Sequence, residues 1–238
     1  SIIAAQSDYF QSTRGGGHGD YRTIVLAPAS VQEFVDLTGK AFDLADTYRM
    51  PVLILGDGML GQMMESVRFD QMPEPEPPEK PWALTAEPGR PRNAVYSLLL
   101  KPEQLGGLND RLQAKYERIQ QDEVRFEVDG PDDADVLLAA FGTAARVCRQ
   151  VVEAPPRDLP FSVGLLRPIT VWPFPTEAFR ERSERVDGIL TVEMNAGQMV
   201  DDVRLAVNGR CPVEFMGRTG GRVPQATEIA DRLLELFG

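Results

Sequence analysis

The amino-acid sequence predicts an α/β protein built on parallel strands, in two parts joined by an irregular connection. Three observations predict it: a strand–helix–strand pattern over residues 24–55, a proline-rich stretch over residues 73–91, and a regular alternation of short apolar runs with helical segments after Gly130-Pro131. With 238 residues and 42% hydrophobic content the chain can bury one large core or two modest ones, and two small domains are favoured.

The run IVLA at residues 24–27 is predicted to be a buried strand, and VLIL at residues 52–55 a second. Each is too short for a helix and is bounded by breaker residues. Between them a helix opens on Ser30 and Glu33 in capping-box spacing, carries Val31, Phe34, Val35, Thr38, Phe42, Ala45 and Tyr48 at intervals of three and four, and stops before Pro51. Two parallel strands cannot bury both faces alone, so further strands must come from elsewhere.

Residues 73–91 hold seven of the nineteen prolines and read as an extended, solvated connection at a domain boundary, with Trp82 pointing to partial docking. From residue 103 to 122, Leu105, Leu108, Leu112, Tyr116 and Ile119 form one stripe of an amphipathic helix that packs across the junction. Strands are predicted near residues 135–141, 161–166, 189–194 and 213–216. A closing helix after Pro224 has Ile229, Leu233, Leu234 and Phe237 on its apolar face. No internal repeat is evident.

The formal charge of -11, from 36 acidic and 25 basic side chains, disfavours a nucleic-acid partner, because phosphates are repelled before contact. No apolar run reaches the roughly 18 residues of a membrane span, and no basic residue precedes the apolar start, as a signal peptide requires. Cys148 and Cys211 form neither a disulfide framework nor a cysteine metal site, which fits a cytoplasmic setting. The chain starts without methionine, as a fragment, a processed chain or a trimmed one would.

Residues 7–22 (SDYFQSTRGGGHGDYR) resemble the α subunit of 2-oxoacid:ferredoxin oxidoreductases, especially the branched-chain (2-oxoisovalerate) and 2-oxoglutarate members. So do IVLAPAS at 24–30, PVLILGDGMLG at 51–61, KPW at 80–82, EMNAGQMVD at 193–201 and PVEFMGRTGG at 212–221. The resemblance implies that residues 1–70 are the last portion of a pyrimidine-type thiamine-diphosphate domain whose N-terminal part precedes Ser1. Residues 71–133 are then the connection and amphipathic helix, and residues 134–238 a transketolase C-terminal-like parallel α/β domain.

It further implies oxidative decarboxylation of a 2-oxoacid to acyl-CoA and CO2 with reduction of ferredoxin, the branched-chain type being slightly favoured over 2-oxoglutarate. The implied cofactors are thiamine diphosphate and Mg2+, bound mainly with a β subunit that carries the diphosphate and metal motif. Iron–sulfur clusters in partner subunits, a γ subunit, ferredoxin and the cosubstrate CoA complete the set. The groups that contact the aminopyrimidine ring and the oxoacid lie upstream of Ser1 in the family pattern. No catalytic residue is therefore assigned here, and the segment alone is expected to be inactive. Two other readings stay open: a noncatalytic scaffold that keeps the family fold, and a different thiamine-diphosphate enzyme of transketolase type, which the Gly-rich and Asn-Ala-Gly-Gln-Met sequences disfavour.

Gly15-Gly16-Gly17-His18-Gly19-Asp20 precedes a strand, whereas phosphate-binding loops follow one and open a helix, so a nucleotide loop is rejected. His18 is the only histidine, which excludes a histidine metal cluster, and a structural role is favoured for it. Arg14, His18 and Asp20 are the candidates for a cavity edge. Gly56-Asp57-Gly58 superficially matches the start of the thiamine-diphosphate metal motif, but Asn93 comes too late to complete it. Asn195, Gly197 and Gln198 open a helix, where free amides favour an anion or polar partner, with Asn195 as an ordinary N-cap the preferred reading. Arg218 and Arg222, on a glycine-rich turn, suit a carboxylate, a phosphate or acidic side chains of another subunit.

Overall fold

The computed structural model describes residues 3–17, 19–71, 78–96 and 98–238. Its smaller sheet is centred on β1 (Ile24–Leu26), flanked by β2 (Val52–Ile54) in parallel and by β6 (Thr170–Trp172) in antiparallel orientation. All three residues of β1 are fully buried, while β2 is half-buried at the edge. One strand that the βαβ unit needed thus comes from the chain's own C-terminal half. Pro168 and Pro173 hide β6 from sequence reasoning, since prolines so close together argue against a strand.

The larger sheet has the order β3 (Phe126–Asp129), β5 (Val163–Pro168), β4 (Val136–Ala139), β7 (Gly188–Glu193), β8 (Val213–Gly217). The last four are parallel and β3 is an antiparallel edge. β3 was not expected, because its sequence FEVD carries two acidic residues that only make sense opposite Arg149 and Arg167.

Successive side chains of a strand face opposite sides, and both faces of this sheet are covered. Leu137, Ala139 and Ile189 therefore enter one core, with α6 (Met199–Val207), α5 (Thr176–Ser183), β1 and α2 (Val31–Tyr48). Val136, Leu138, Leu190 and Val192 enter the other, with α4 (Gly142–Glu153) and α7 (Ala226–Phe237). The cores divide by sheet face, not by order along the chain.

Ser30 caps α2 as expected, its Oγ accepting from the Glu33 amide at 3.1 Å. The buried face, however, is Ala41, Leu44 and Tyr48, rotated from the predicted stripe, and Phe42 is left 71% exposed. Phe34 lies against Gly56, where any Cβ would come within 2.4 Å of its ring. In α3 (Pro102–Asp122) Tyr116 and Ile119 are buried, Leu112 is half-buried against the same core and Leu108 is half-buried, while Leu105 at the start of the predicted stripe is exposed. Trp82 docks beneath the Arg49 guanidinium at 5.0 Å, and Lys80 pairs with Asp46.

Candidate functional site

In a doubly wound sheet, ligands enter where neighbouring strands send their helices to opposite faces, at the carboxyl ends of those strands. Here that place lies between β4, which leads to α4, and β7, which leads to α6. The chain's own N-terminal segment fills it. Gln6, 4% exposed, donates its side-chain amide to the Phe141 carbonyl at 2.8 Å and accepts from the Met194 amide at 3.0 Å. Its backbone N–H donates to the Met194 carbonyl at 3.0 Å, and its carbonyl accepts from Asn195 Nδ2 at 2.9 Å.

The two helix N-termini that flank this crevice have free amides suited to an anion. The chain supplies both anions itself. Asp57 caps α4: it accepts from the Thr143 amide at 3.0 Å and the Thr143 hydroxyl at 2.8 Å, and from the amides of Met59 and Leu60 at 3.1 and 3.0 Å. Gly142, at φ 55°, makes the close approach, since a Cβ there would meet Gln6 Nε2 at 2.9 Å and Asp57 Oδ2 at 3.0 Å. Both Asp57 oxygens are engaged, so the carboxylate does not fit a metal shared with a diphosphate.

Glu193, fully buried, caps α6. It accepts from the amides of Gln198, Met199 and Val200 at 3.2, 2.9 and 3.0 Å and from Asn195 Nδ2 at 2.8 Å. Asn195 is therefore not the N-cap. Gln198 stands there, while Asn195 accepts from the Gly197 amide at 2.8 Å and holds the Glu193 carboxylate in place. Gln198 faces the N-terminal segment, accepting from the Phe10 amide at 2.8 Å and donating to the Ser7 carbonyl at 2.8 Å.

The same segment is latched further on. In α1 (Tyr9–Thr13), a short helix within the Gly-rich motif region, Tyr9 is fully buried and donates its hydroxyl to Asp202 Oδ2 at 2.6 Å. Arg14 forks onto Asp202 with Nη2 to Oδ1 at 2.8 Å and Nη1 to Oδ2 at 3.1 Å. Burial, then the Asp202 charge and hydrogen bond, push the Tyr9 phenol well above its ordinary value, so it stays a donor.

The loop that follows turns through Gly15 and Gly16 at φ 64° and 63°, and a Cβ on Gly15 would sit 2.9 Å from the Tyr21 carbonyl. Asp20 lines a groove of about 470 Å³ with Arg22, Asn109, Gln113, Tyr116 and Trp172. Arg14 and Asp20 are thus not brought together, and His18 lies outside the described residues. Arg218 and Arg222 border a separate pocket at the ends of β7 and β8.

A second charged junction ties the halves. Arg167 on β5, fully buried, forks onto Glu33 at 2.6 and 3.0 Å and reaches Glu127 at 2.8 Å. Arg149 pairs with Glu127 and Asp129 at 2.7 and 3.0 Å, and Arg146 with Glu65 at 2.8 Å. Sequence reasoning missed Gln6, Glu193, Asp202 and Arg167. The available signal was a carboxylate on the last residue of a strand just ahead of a helix, as at Glu193.

Residues 1–118 match the family described as pyruvate flavodoxin/ferredoxin oxidoreductase, thiamine diphosphate-binding, and residues 134–229 match pyruvate:ferredoxin oxidoreductase core domain II. The chain is 43% identical over 238 residues to the ketoisovalerate oxidoreductase subunit VorB of Methanothermobacter thermautotrophicus, covering 100% of this chain and 67% of that one. It is 31% identical over 261 residues to the 2-oxoglutarate synthase subunit KorA of Methanothermobacter marburgensis, covering 98% and 68%. Its fold is like that of 2-oxoglutarate:ferredoxin oxidoreductase from Magnetococcus marinus, solved with 2-oxoglutarate, coenzyme A and succinyl-CoA bound. The TM-score is 0.75 at 22% identity, over 98% of this chain and 45% of that one.

The protein class that emerges is an oxidoreductase subunit with a thiamine-diphosphate-type domain and a companion α/β domain closed by its own chain. More narrowly, the chain belongs to the 2-oxoacid:ferredoxin oxidoreductase family.

Proposed function

We propose that this chain serves as the α-type subunit of an enzyme that converts a 2-oxoacid and CoA to acyl-CoA and CO2. Two electrons pass to ferredoxin, and branched-chain oxoacids are the preferred substrates. The observation that carries this reading is the 43% identity across all 238 residues to a ketoisovalerate oxidoreductase subunit, against 31% to a 2-oxoglutarate synthase subunit.

Residues 1–70 form part of the pyrimidine-type domain, 71–133 the connection and 134–238 the transketolase C-terminal-like domain. Thiamine diphosphate, when bound, would supply the nucleophile and the electron sink for decarboxylation of the 2-oxoacid. Asp57, committed to capping α4, is not a magnesium ligand in this reading, which assigns magnesium and the diphosphate to a β subunit and iron–sulfur clusters to partner subunits including a γ subunit. Here the C-terminal domain acts as a clamp. Asn195, Gln198 and Asp202 grip the segment that leads into the Gly-rich loop, and Arg14 and Asp20 are the cavity-edge candidates in this reading. A cytoplasmic setting fits this chemistry, and no helix among the described residues is long and apolar enough to cross a membrane.

The test is coexpression of the full-length subunit with its neighbouring genes, followed by CoA-dependent reduction of ferredoxin or viologen. 2-Oxoisovalerate should outperform 2-oxoglutarate. Equal or reversed preference would defeat the substrate assignment, and no turnover with any common 2-oxoacid would defeat the enzymatic one.

A further inference from the structure

With the crevice between β4 and β7 plugged, a second opening at the carboxyl ends of parallel strands remains, between β7 and β8. It is a pocket of about 440 Å³ bordered by Asn195 and Ala196 after β7 and by Gly217, Arg218, Thr219 and Arg222 at the end of β8 and beyond. Gly217 lets the two strand ends close on each other, since a Cβ there would lie 2.5 Å from the Asn195 carbonyl. Asn195 has no polar atom to spare for a ligand, because its side chain already serves Gln6, Glu193 and Gly197.

The two guanidinium groups stand differently. Arg218 is fixed, donating to the Gly217 carbonyl at 3.1 Å and to Glu228 Oε1 at 3.2 Å. Glu228 is itself held by the Gln225 amide on its other oxygen at 3.0 Å, so it orients Arg218. Arg222 is exposed, and among the described residues it has neither an ion-pair nor a hydrogen-bond partner. Gly220 and Gly221, at φ 69° and 80°, turn the backbone between them. Of this turn, Thr219 and Arg222 border the pocket beside Arg218, whereas Gly221 lies against Ile3.

Guanidinium groups match the oxygens of phosphate with paired N–H donors. Two guanidinium charges against one carboxylate leave this pocket positive in a chain of net charge -11, which favours a localised anion over a diffuse cloud.

We propose that the pocket formed by residues 217–222 is an oxyanion site that takes a phosphate group of a small molecule. Arg218 is preset, and Arg222 closes on the bound group. This inference does not depend on the catalytic reading above.

The test is titration of inorganic phosphate into the full-length subunit, followed by amide NMR shifts and calorimetry. Saturable shifts centred on residues 218–222 are expected. Arg222→Ala should weaken binding at least ~10-fold, and Arg222→Lys should restore part of it, because each lost charge-assisted contact matters at that scale. Since Arg222 is exposed, an unchanged circular dichroism spectrum will establish that the variants fold. CoA and dephospho-CoA distinguish the sources: tighter binding of CoA places the monoester phosphate here, and equal weak binding to all three identifies a free-phosphate site. Shifts that do not saturate, or that Arg222→Ala leaves unaltered, overturn the proposal. So does an Arg222→Ala effect confined to association with a partner subunit, which would make the pocket a receptor for an acidic side chain instead.

Discussion

Replacing Asp202 by alanine removes the acceptor shared by Tyr9 and Arg14 and so unlatches the N-terminal segment from α6. The Tyr9 hydroxyl has no exposure to water, so its hydrogen-bonding need goes unmet at a cost of about 1–3 kcal/mol. Arg14 is 39% exposed and regains water, so its share is discounted to about 1 kcal/mol or less. The expected total is roughly 1–4 kcal/mol. Tyr9→Phe, which keeps the ring, should cost only about 1 kcal/mol. The double variant should fall short of the sum by about 1 kcal/mol, as for groups in direct contact. Urea unfolding measures the stabilities, and hydrogen exchange should show amides 9–14 opening in Asp202→Ala before the sheets do. An Asp202→Ala chain within about 0.5 kcal/mol of the parent, with unaltered exchange in that segment, would refute the latch.

Three other expectations follow from the same geometry. Arg167→Ala should lower stability towards the low end of the ~3–5 kcal/mol that breaking a buried pair costs, because Glu33 and Glu127 keep some contact with water; thermal unfolding checks it. For Glu127, burial acts to raise the carboxyl pKa, but hydrogen bonds and charge from Arg167 and Arg149 outweigh it and hold the group below its ordinary value. The folded pKa being the lower one, the stabilisation is complete above the unfolded value of about 4.3 and fades as pH falls through the folded value; Glu127→Gln should flatten that acid limb in melts across this range. Gly142→Ala should cost about 1–3 kcal/mol, since φ is 55° and Gln6 and Asp57 occupy the space of the new methyl; equal melting temperatures would contradict the plug.

Much of the architecture was legible because it is local. The capping of α2 by Ser30, the apolar runs of β1, β2, β4, β5, β7 and β8, and the face of α7 each depend on neighbours within a turn or a strand. The family resemblance was equally legible, since its motifs are contiguous. Phe42 was misplaced because α2 is covered mainly along the Ala41, Leu44 and Tyr48 stripe, and periodicity alone cannot choose between adjacent stripes.

By itself, the sequence determined a parallel α/β chain, the type of most of its elements and the family to which it belongs. Only the tertiary structure decided that Gln6 plugs the crevice, that Asp57 and Glu193 serve as the anions of α4 and α6, and that β6 joins β1. The reason is range: Gln6 meets Phe141 across 135 positions and Tyr9 meets Asp202 across 193. A polar side chain carries no periodic signal of its distant partner, and its partner is set by how the sheets pack.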